Sequence, residues 1–181
     1  MNTLRTARLT LEPEVEAHAP EMFVVLSDPA IYEYEGVPPP SVERLAEGYR
    51  RRQATRRSPD GREQWLNWIV RLPGGEAAGY VQATVLADGV SYVAYEFASK
   101  HWRQGIGSEA VAAMLAELVR SHGVHTFVAV LKQANFRSAA LLRHLGFGPG
   151  EPGDAATFGA EPDEIVMRRP AAGMPAVAAP A

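Results

Sequence analysis

Residues 101–110, with the sequence HWRQGIGSEA, constrain the fold more than any other part of the chain. An apolar run at residues 90–97 precedes this segment, and a helical pattern at residues 109–120 follows it. When a strand passes through a glycine turn directly into a helix, the first helical N–H groups lack internal partners and carry the positive end of the helix dipole. Such a junction binds phosphate, and glycines let a phosphate approach the main chain closely. The pattern therefore predicts that residues 104–108 hold a pyrophosphate.

Composition limits the classes of function. The chain has 181 residues, of which 46% are hydrophobic and 22% charged, as in an ordinary globular protein. A formal net charge of −3 gives no support for a nucleic-acid-binding protein. Arginines cluster at residues 50–52 and 56–57, and we interpret them as a solvated helix face. Without cysteine the chain has no disulfide or thiolate metal site, and without a signal peptide or an apolar span it is predicted to be cytoplasmic, with no membrane partner.

The order of elements predicts an α+β fold in a single domain at residues 1–170. Apolar alternation and turn residues predict strands at residues 4–11, 65–72, 78–86, 90–97, 126–131 and 164–169. Helical periodicity and capping residues predict helices at residues 14–26, 41–57, 108–122 and 136–145. The order β-α-α-β-β-β-α-β-α-β favours a mixed, mostly antiparallel twisted sheet with flanking helices, in which the strands at 90–97 and 126–131 pair in parallel. The Ala/Pro-rich residues 171–181 are predicted to form a disordered tail.

Two motifs resemble a known family. The sequence WRQGIG at residues 102–107, continued as GIGSEA at residues 105–110, is similar to the phosphate-binding motif of the GNAT superfamily of acyl-CoA-dependent N-acetyltransferases. Trp102 stands where the general motif has Gln or Arg, which resembles the RimJ/RimL-like branch. The sequence NFRS at residues 135–138, followed by LGF at residues 145–147, resembles a second signature of that branch. The resemblance covers about residues 4–169 and implies a GNAT-like fold.

The resemblance implies that the chain binds acetyl-CoA as a co-substrate. The fourth and fifth predicted strands would splay apart and admit the pantetheine arm, and a main-chain N–H near Phe97 would polarise the thioester carbonyl. Main-chain pairing with the pantetheine amides is expected near Phe97 and Ser99, and a hydrogen bond to the arm from Asn135. The predicted cofactor-binding residues are Phe97, Ala98, Ser99, Arg103, Gln104, Gly105, Ile106, Gly107, Ser108, Asn135 and Ser138.

The sequence leaves more than one possibility for the catalytic acid and for the general base. Many relatives place a tyrosine seven residues after the motif asparagine, where this chain has Leu142, and the RimJ/RimL-like branch offers Ser138 instead. Ser138 either hydrogen-bonds the leaving sulfur or caps its own helix.

For the base, the strand carboxylate of histone-acetylating relatives falls on Ser91. Glu96 is the nearest carboxylate, and it either serves as general base or faces the other side of the sheet and pairs with an arginine. Water could also accept the proton. The loop carboxylates that are further candidates are Glu33, Glu35, Glu151 and Glu161.

Residues 30–40 are the candidate acceptor wall. Three prolines at residues 38–40 exclude a helix there, so the segment is a stiff loop that carries Tyr32, Tyr34 and Glu35. These side chains either bind the acceptor or pack on the core of a surface connection. Trp65 and Trp68 lie on opposite faces of their strand, so that one belongs to the core and the other is a candidate for the acceptor side.

These observations predict an N-acetyltransferase that moves an acetyl group to a primary amine by direct attack in a ternary complex. The amine belongs to a protein N-terminus or to a small molecule. The alternative is a non-catalytic acyl-CoA sensor, favoured by the missing tyrosine and the missing strand carboxylate. The resemblance also allows a homodimer. The histidines are scattered without the spacing of a helix-face metal site, so we expect no metal.

Overall fold

The computed structural model describes residues 1–171, and it contains one eight-stranded sheet in the order β1-β2-β3-β4-β5-β6-β8-β7. The strands are β1 (Leu4–Arg5), β2 (Thr10–Pro13), β3 (Glu63–Arg71), β4 (Ala77–Leu86), β5 (Val90–Phe97), β6 (Thr126–Lys132), β7 (Gly148–Pro149) and β8 (Glu164–Pro170). The α-helices are α1 (Ala19–Leu26), α2 (Val42–Thr55), α3 (Ile106–His122), α4 (Phe136–His144) and α5 (Asp154–Thr157). This mixed, mostly antiparallel arrangement confirms the predicted fold class. The predicted tail lies, apart from Ala171, outside the described residues.

The helices divide between the two faces of the sheet. Alternate residues of the central strands, such as Trp68, Val81 and Phe97, pack with α3 and α4 in one hydrophobic core. On the opposite face, Ile69 packs with buried residues of α1 and with the buried ring of Tyr49 from α2. Each face of the sheet therefore has its own layer of helices, and a side chain's position along a strand decides which layer it meets.

The pairing between β5 and β6 is short. It is parallel, as predicted, and consists of three residue pairs, Val90↔Thr126, Ser91↔Phe127 and Tyr92↔Val128. Beyond these pairs β6 stays paired with β8 along its whole length, while β5 stays paired with β4 up to Phe97. A gap therefore opens between the second half of β5 and the second half of β6, where the splay was expected.

Main-chain groups of β5 point into this gap. The N–H of Ala98, just after the strand ends, donates to the Ala78 carbonyl at 3.0 Å and so points towards β4. Because successive residues of a strand direct their main-chain groups to opposite sides, the N–H groups of Tyr95 and Phe97 face the gap.

Several boundaries differ from the predictions. The first predicted strand is a hairpin, with the Thr6 N–H donating to the Leu9 carbonyl at 3.0 Å between β1 and β2. The helix predicted from residue 14 starts as a 3₁₀ turn, and α1 begins at Ala19 because Pro20 is tolerated only in a first helical turn. α3 begins at Ile106, two residues earlier than predicted. α5 and β7 are not among the predicted elements.

Candidate active site

The turn between β5 and α3 leaves a helix N-terminus open. Gly105 is the N-cap of the 17-residue helix α3, with φ +77° and no side-chain cap. A left-handed φ is tolerated best by glycine, and the missing cap leaves the first N–H groups of α3 available to a ligand. At Gly107 a Cβ atom would lie 2.9 Å from the Leu141 side chain, so glycine also permits the close packing of α3 against α4.

The N-terminal segment holds this turn in place. The Arg8 guanidinium donates to the Gln104 carbonyl at 3.0 Å and to the Glu109 carboxylate at 2.6 Å. The Thr6 hydroxyl donates to the other oxygen of the same carboxylate, also at 2.6 Å. Glu109, part of the GSEA motif, therefore anchors the first turn of α3 to the β1–β2 hairpin. Arg103 is exposed beside the turn, with a left-handed φ of +60°.

The main chain at residues 97–99 is partly engaged by the protein itself. The Phe97 carbonyl accepts from Trp102 Nε1 at 2.7 Å, while its N–H faces the gap. The Ser99 N–H donates to Asp28 Oδ2 at 2.7 Å, and its carbonyl accepts from the Trp102 N–H at 3.0 Å. Of the residues predicted to pair with the pantetheine arm, Phe97 therefore has a main-chain donor directed at the gap. The main-chain groups of Ser99 already have partners.

The start of α4 brings two hydroxyl groups together. Asn135 is the N-cap, its Oδ1 accepting from the Ser138 N–H at 3.1 Å, which leaves its amide NH₂ group to bind a ligand. The Ser138 hydroxyl lies 2.7 Å from the Tyr95 hydroxyl across the gap instead of capping its own helix. Burial raises the pKa of Tyr95 to about 12, although the hydrogen bond with Ser138 lowers it. Leu142, at the position where many relatives have tyrosine, is 1% exposed and belongs to the core.

A second bridge crosses the gap near the surface. The Arg137 guanidinium lies 4.8 Å from the centre of the Trp102 ring and 5.4 Å from that of Tyr34, and it pairs with the Glu33 carboxylate. One side chain of α4 therefore joins the turn before α3 to the loop at residues 30–40. Sequence reasoning missed both Tyr95 and Arg137. The one available signal was period-two alternation, which places Tyr95 with Val93 and Phe97 on the core side of β5.

Glu96 lies on the opposite face of the sheet from Ser91, beside the helices α1 and α2. This position agrees with the alternative that placed Glu96 on the other side of the sheet. Glu96 is half-buried opposite Tyr80, and no arginine forms a salt bridge with it among residues 1–171, so only the predicted arginine partner is wrong. Burial raises the pKa of Glu96, the Tyr80 hydroxyl lowers it, and the charge of Glu35 raises it further. An unpaired carboxylate with a raised pKa is suited to accept a proton near neutral pH.

The loop at residues 30–40 approaches Glu96 from α1. The Tyr32 hydroxyl donates to the Leu26 carbonyl at 2.9 Å, and burial together with the charge of Glu96 raises its pKa to about 12. Glu35 is exposed, and its pKa is raised by partial desolvation and by the neighbouring Glu164 carboxylate.

Two of the other loop carboxylates are held in ion pairs. Glu33 pairs with Arg137, and Glu151 pairs with Arg168 at 2.8 Å. Glu161 is exposed. No group of three or more His, Cys, Asp or Glu side chains in residues 1–171 could hold a metal ion. Within the same residues, no helix has the length and apolar character needed to cross a membrane.

Comparison with known proteins identifies this arrangement. Residues 8–148 match the family model of the GNAT acetyltransferase domain. The chain belongs to the GNAT acetyltransferase family. The match confirms the resemblance seen in the glycine and NFRS motifs, and it makes the chain an acetyltransferase of a family that uses acetyl-CoA as acyl donor. A search of proteins with curated descriptions finds no significant match.

Solved structures of GNAT enzymes share the fold at low sequence identity. RimL, the ribosomal L7/L12 alpha-N-protein acetyltransferase in complex with coenzyme A, is 16% identical with a TM-score of 0.78, and the alignment covers 93% of this chain and 98% of RimL. The ribosomal-protein-S5-alanine acetyltransferase from Vibrio fischeri is 14% identical with a TM-score of 0.75, covering 96% and 98% of the two chains. MccE, the microcin C7 self-immunity acetyltransferase in complex with acetyl-CoA and AMP, is 15% identical with a TM-score of 0.74, covering 91% and 93%.

Proposed function

We propose that this GNAT enzyme transfers the acetyl group of acetyl-CoA to a primary amine by direct attack in a ternary complex. The observation that carries the proposal is the gap between β5 and β6. The uncapped start of α3 and the Tyr95–Ser138 pair lie on one side of the sheet, whereas Glu96 lies on the other. A donor and an acceptor approaching from opposite faces would meet at the Phe97 N–H.

The donor-binding residues are inferred from the main-chain N–H groups that have no partner within the described residues. The N–H groups of residues 104–108 would hold the pyrophosphate at the positive end of α3, and the exposed Arg103 would add a positive charge. The amide NH₂ of Asn135 would bind the pantetheine arm beside the Phe97 N–H. Because the main-chain groups of Ala98 and Ser99 already have partners in the protein, we assign these two residues to holding the turn.

For each catalytic step we assign a residue of this chain. The Phe97 N–H would stabilise negative charge on the thioester oxygen as the amine nitrogen attacks the carbonyl carbon. Glu96 would accept the proton that the amine loses. As the C–S bond breaks, the Ser138 hydroxyl would donate a hydrogen bond to the sulfur, while Tyr95 donates to Ser138 and directs the serine proton into the gap.

The acceptor class is inferred from the site and from similar structures. Tyr32 and Glu35 lie close enough to Glu96 that the charge of Glu96 raises the pKa of Tyr32 and the charge of Glu35 raises the pKa of Glu96. Tyr34 of the same loop stacks on Arg137. This loop would therefore present rings and a carboxylate to an incoming amine. Two of the similar structures are named as acetyltransferases of ribosomal proteins, and one is named for its complex with acetyl-CoA and AMP. We therefore propose a protein N-terminus or a small-molecule amine as acceptor. A cytoplasmic location and a homodimer remain predictions.

A turnover assay tests this function. The purified protein is incubated with acetyl-CoA and a panel of N-terminal peptides, amino acids and polyamines, and released CoA and the acetylated product are measured by thiol titration and mass spectrometry. We expect acetylation of a primary amine in at least one class. Thermal stabilisation by acetyl-CoA without turnover on any amine would instead favour the sensor alternative, and no stabilisation would contradict the donor site.

A further inference from the structure

A groove with several polar side chains in its lining lies on the α1/α2 face of the sheet, the same face as Glu96. It has a volume of about 750 Å³ and runs between α2 and the strands β3 and β4. The residues that matter to its chemistry are Arg51, Arg57, Trp65, Asn67, Gln82 and Thr84. The other tryptophan of β3, Trp68, is fully buried in the α3/α4 core, so Trp65 is the one that reaches this face.

Three polar side chains of β3 and β4 that line this groove lack protein partners. Asn67 is 3% exposed, yet its side-chain amide takes part in none of the hydrogen bonds among residues 1–171, and the same holds for the side chains of Gln82 and Thr84. Among residues 1–171, His101 Nε2 is the buried side-chain polar atom that lacks a partner, so the Asn67 amide atoms reach the open groove. An amide that faces a groove and has no protein partner is available to hydrogen-bond a polar ligand.

Two of the three arginines that line the groove are also unpaired. Arg51 and Arg57 are exposed and form no salt bridge within the described residues, whereas their neighbours are neutralised. Arg50 pairs with Glu16 at 3.4 Å, and Arg52 pairs with Glu14 at 2.8 Å. The arginine cluster is therefore more than the solvated helix face that its sequence suggested. Two unpaired guanidinium groups favour an anion with carboxylate or phosphate oxygens.

The groove and Glu96 are close neighbours in strand register. Glu96 stands opposite Tyr80, and the next row on the same face contains Ala94, Gln82 and Asn67. Thr84 and Trp65 belong to the row after that. Since two residues along a strand span about 7 Å, the groove starts about 7 Å from Glu96 and extends to about 14 Å. Ala94 is exposed, so its side chain leaves the sheet face accessible between them.

We propose that the acceptor carries an anionic group about 7–14 Å from its amine, and that Arg51 and Arg57 bind this group while the amine lies at Glu96. Asn67 and Gln82 bind the amide groups of the connecting chain. An extended peptide advances about 3.3–3.6 Å per residue, so an acidic side chain in the third to fifth position has the required span. An aminoalkyl phosphate of that length presents the same chemistry. This inference rests on the proposed function.

Matched peptides test the groove. The acceptors are five-residue peptides amidated at the C-terminus, identical except for Asp, Asn or Lys at the third position, together with an aminoalkyl phosphate of similar length. We expect the KM of the Asp peptide to be lower than that of the Lys peptide by about tenfold, the effect of one charge-assisted contact. The double variant Arg51→Glu, Arg57→Glu should reverse this order without changing the KM for acetyl-CoA.

The control variant is Arg50→Gln, which removes an adjacent arginine that is held outside the groove and should leave the peptide preference unchanged. Turnover of all peptides with equal KM, in the native protein and in the double variant, would overturn the groove assignment and leave the proposed function intact. If the protein acetylates the aminoalkyl phosphate and none of the peptides, and the double variant loses this activity, the result supports the groove and identifies a small-molecule acceptor.

Direct binding separates failure of the groove from failure of catalysis. Each acceptor is titrated into the protein with CoA present, and binding is followed by calorimetry and by tryptophan fluorescence. Binding of the Asp peptide or the aminoalkyl phosphate that is lost in the double variant supports the groove even if no amine is acetylated. If neither compound binds, or if binding survives in the double variant with an unchanged melting temperature, the inference is wrong.

Discussion

A hydrogen bond across the gap in the sheet connects the residue proposed as acid to a tyrosine distant in sequence. Tyr95 and Ser138 are separated by 43 positions, yet their hydroxyl groups lie 2.7 Å apart. The motif resemblance identified Ser138, but nothing in the sequence indicated its partner. The contact depends on where the end of β5 meets the first turn of α4, and that distance is set by tertiary packing.

Replacement of Tyr95 by phenylalanine tests this bond. The variant keeps the ring and loses the hydroxyl that orients Ser138, so we expect kcat to fall by about tenfold or more while the KM for acetyl-CoA stays constant. Ser138→Ala should lower kcat similarly, and the double variant should add little because both act through one hydroxyl. The measurement is steady-state kinetics.

A tyrosine on the other face of the same strand is the control. Tyr92→Phe removes a hydroxyl that makes no hydrogen bond among residues 1–171, and it should leave kcat unchanged. Equal loss of kcat in both tyrosine variants, or no loss in Tyr95→Phe, would contradict the role given to Tyr95.

We expect Glu96 to make both activity and stability depend on pH. Burial raises its pKa in the folded protein, so folding favours the protonated form. Its contribution to stability is present below the ordinary glutamate pKa and is lost as pH rises through the raised pKa. A folded-state pKa that lies one pH unit above the unfolded-state pKa corresponds to a loss of about 1.4 kcal/mol. Relative to Glu96→Gln, the free energy of unfolding of the native protein should therefore fall across this range.

Denaturant titrations of both proteins at several pH values check the stability effect. In the same range kcat/KM should rise with pH as Glu96 loses its proton, and this rise should be absent from Glu96→Gln. The ordinary glutamate pKa is about 4.3. If the difference in unfolding free energy between the native protein and Glu96→Gln stays constant from about pH 4 to about pH 7, Glu96 is not desolvated.

At the scale of elements, the predictions were most accurate where apolar periodicity is strong. The meander strand β5 was predicted with its observed boundaries, and Ser41 caps α2 by accepting from the Arg44 N–H at 3.3 Å. α5 and β7 were missed because they are four and two residues long and carry no periodic pattern. α3 starts early because its cap is the main chain of Gly105, which no side-chain capping signal marks.

Replacement of Gly105 by leucine should abolish tight binding of acetyl-CoA. The new side chain would occupy a left-handed position, with its Cβ 3.2 Å from the Arg8 guanidinium, at the surface proposed for the pyrophosphate. The backbone strain alone costs about 1–2 kcal/mol of stability. Calorimetric titration with acetyl-CoA measures the affinity.

Gly61 offers a matched control. Its φ is +72°, and an added Cβ would have no atom within 4 Å, so Gly61→Leu introduces the same strain away from the gap. Both variants should lose similar stability, and only Gly105→Leu should lose affinity. Wild-type affinity in Gly105→Leu would contradict the donor site.

At the scale of the whole molecule, the two parts of the sheet are joined at the gap by few contacts. Three residue pairs link β5 to β6, and the Tyr95–Ser138 and Arg137 bridges add side-chain contacts beyond them. The opening was expected from the resemblance alone. Its bridges were not, because Arg137 contacts side chains from two other segments, the loop at residues 30–40 and the turn before α3, that only the folded chain brings together.

Loss of the Arg137 bridge should loosen this region. Arg137→Ala removes the stacking on Trp102 and Tyr34 and the ion pair with Glu33, contacts worth about 1–2 kcal/mol together. We expect faster hydrogen exchange at residues 30–40 and faster dissociation of acetyl-CoA. Exchange mass spectrometry and stopped-flow dissociation measure these effects.

The control is Arg143→Ala, an exposed arginine of the same helix that forms no salt bridge within the described residues. It should leave both rates unchanged. Unaltered exchange in Arg137→Ala would show that the loop is held in place by its prolines and by Tyr32 rather than by the bridge.

The gap has an evolutionary consequence if the two substrates bind as proposed. The donor is held mainly by main-chain N–H groups at residues 104–108 and at Phe97, which most substitutions leave in place. The acceptor meets side chains such as Glu96, Asn67 and Arg51, each replaceable without moving the sheet. Selection can therefore alter the choice of amine one side chain at a time, while the acyl donor stays the same in every descendant.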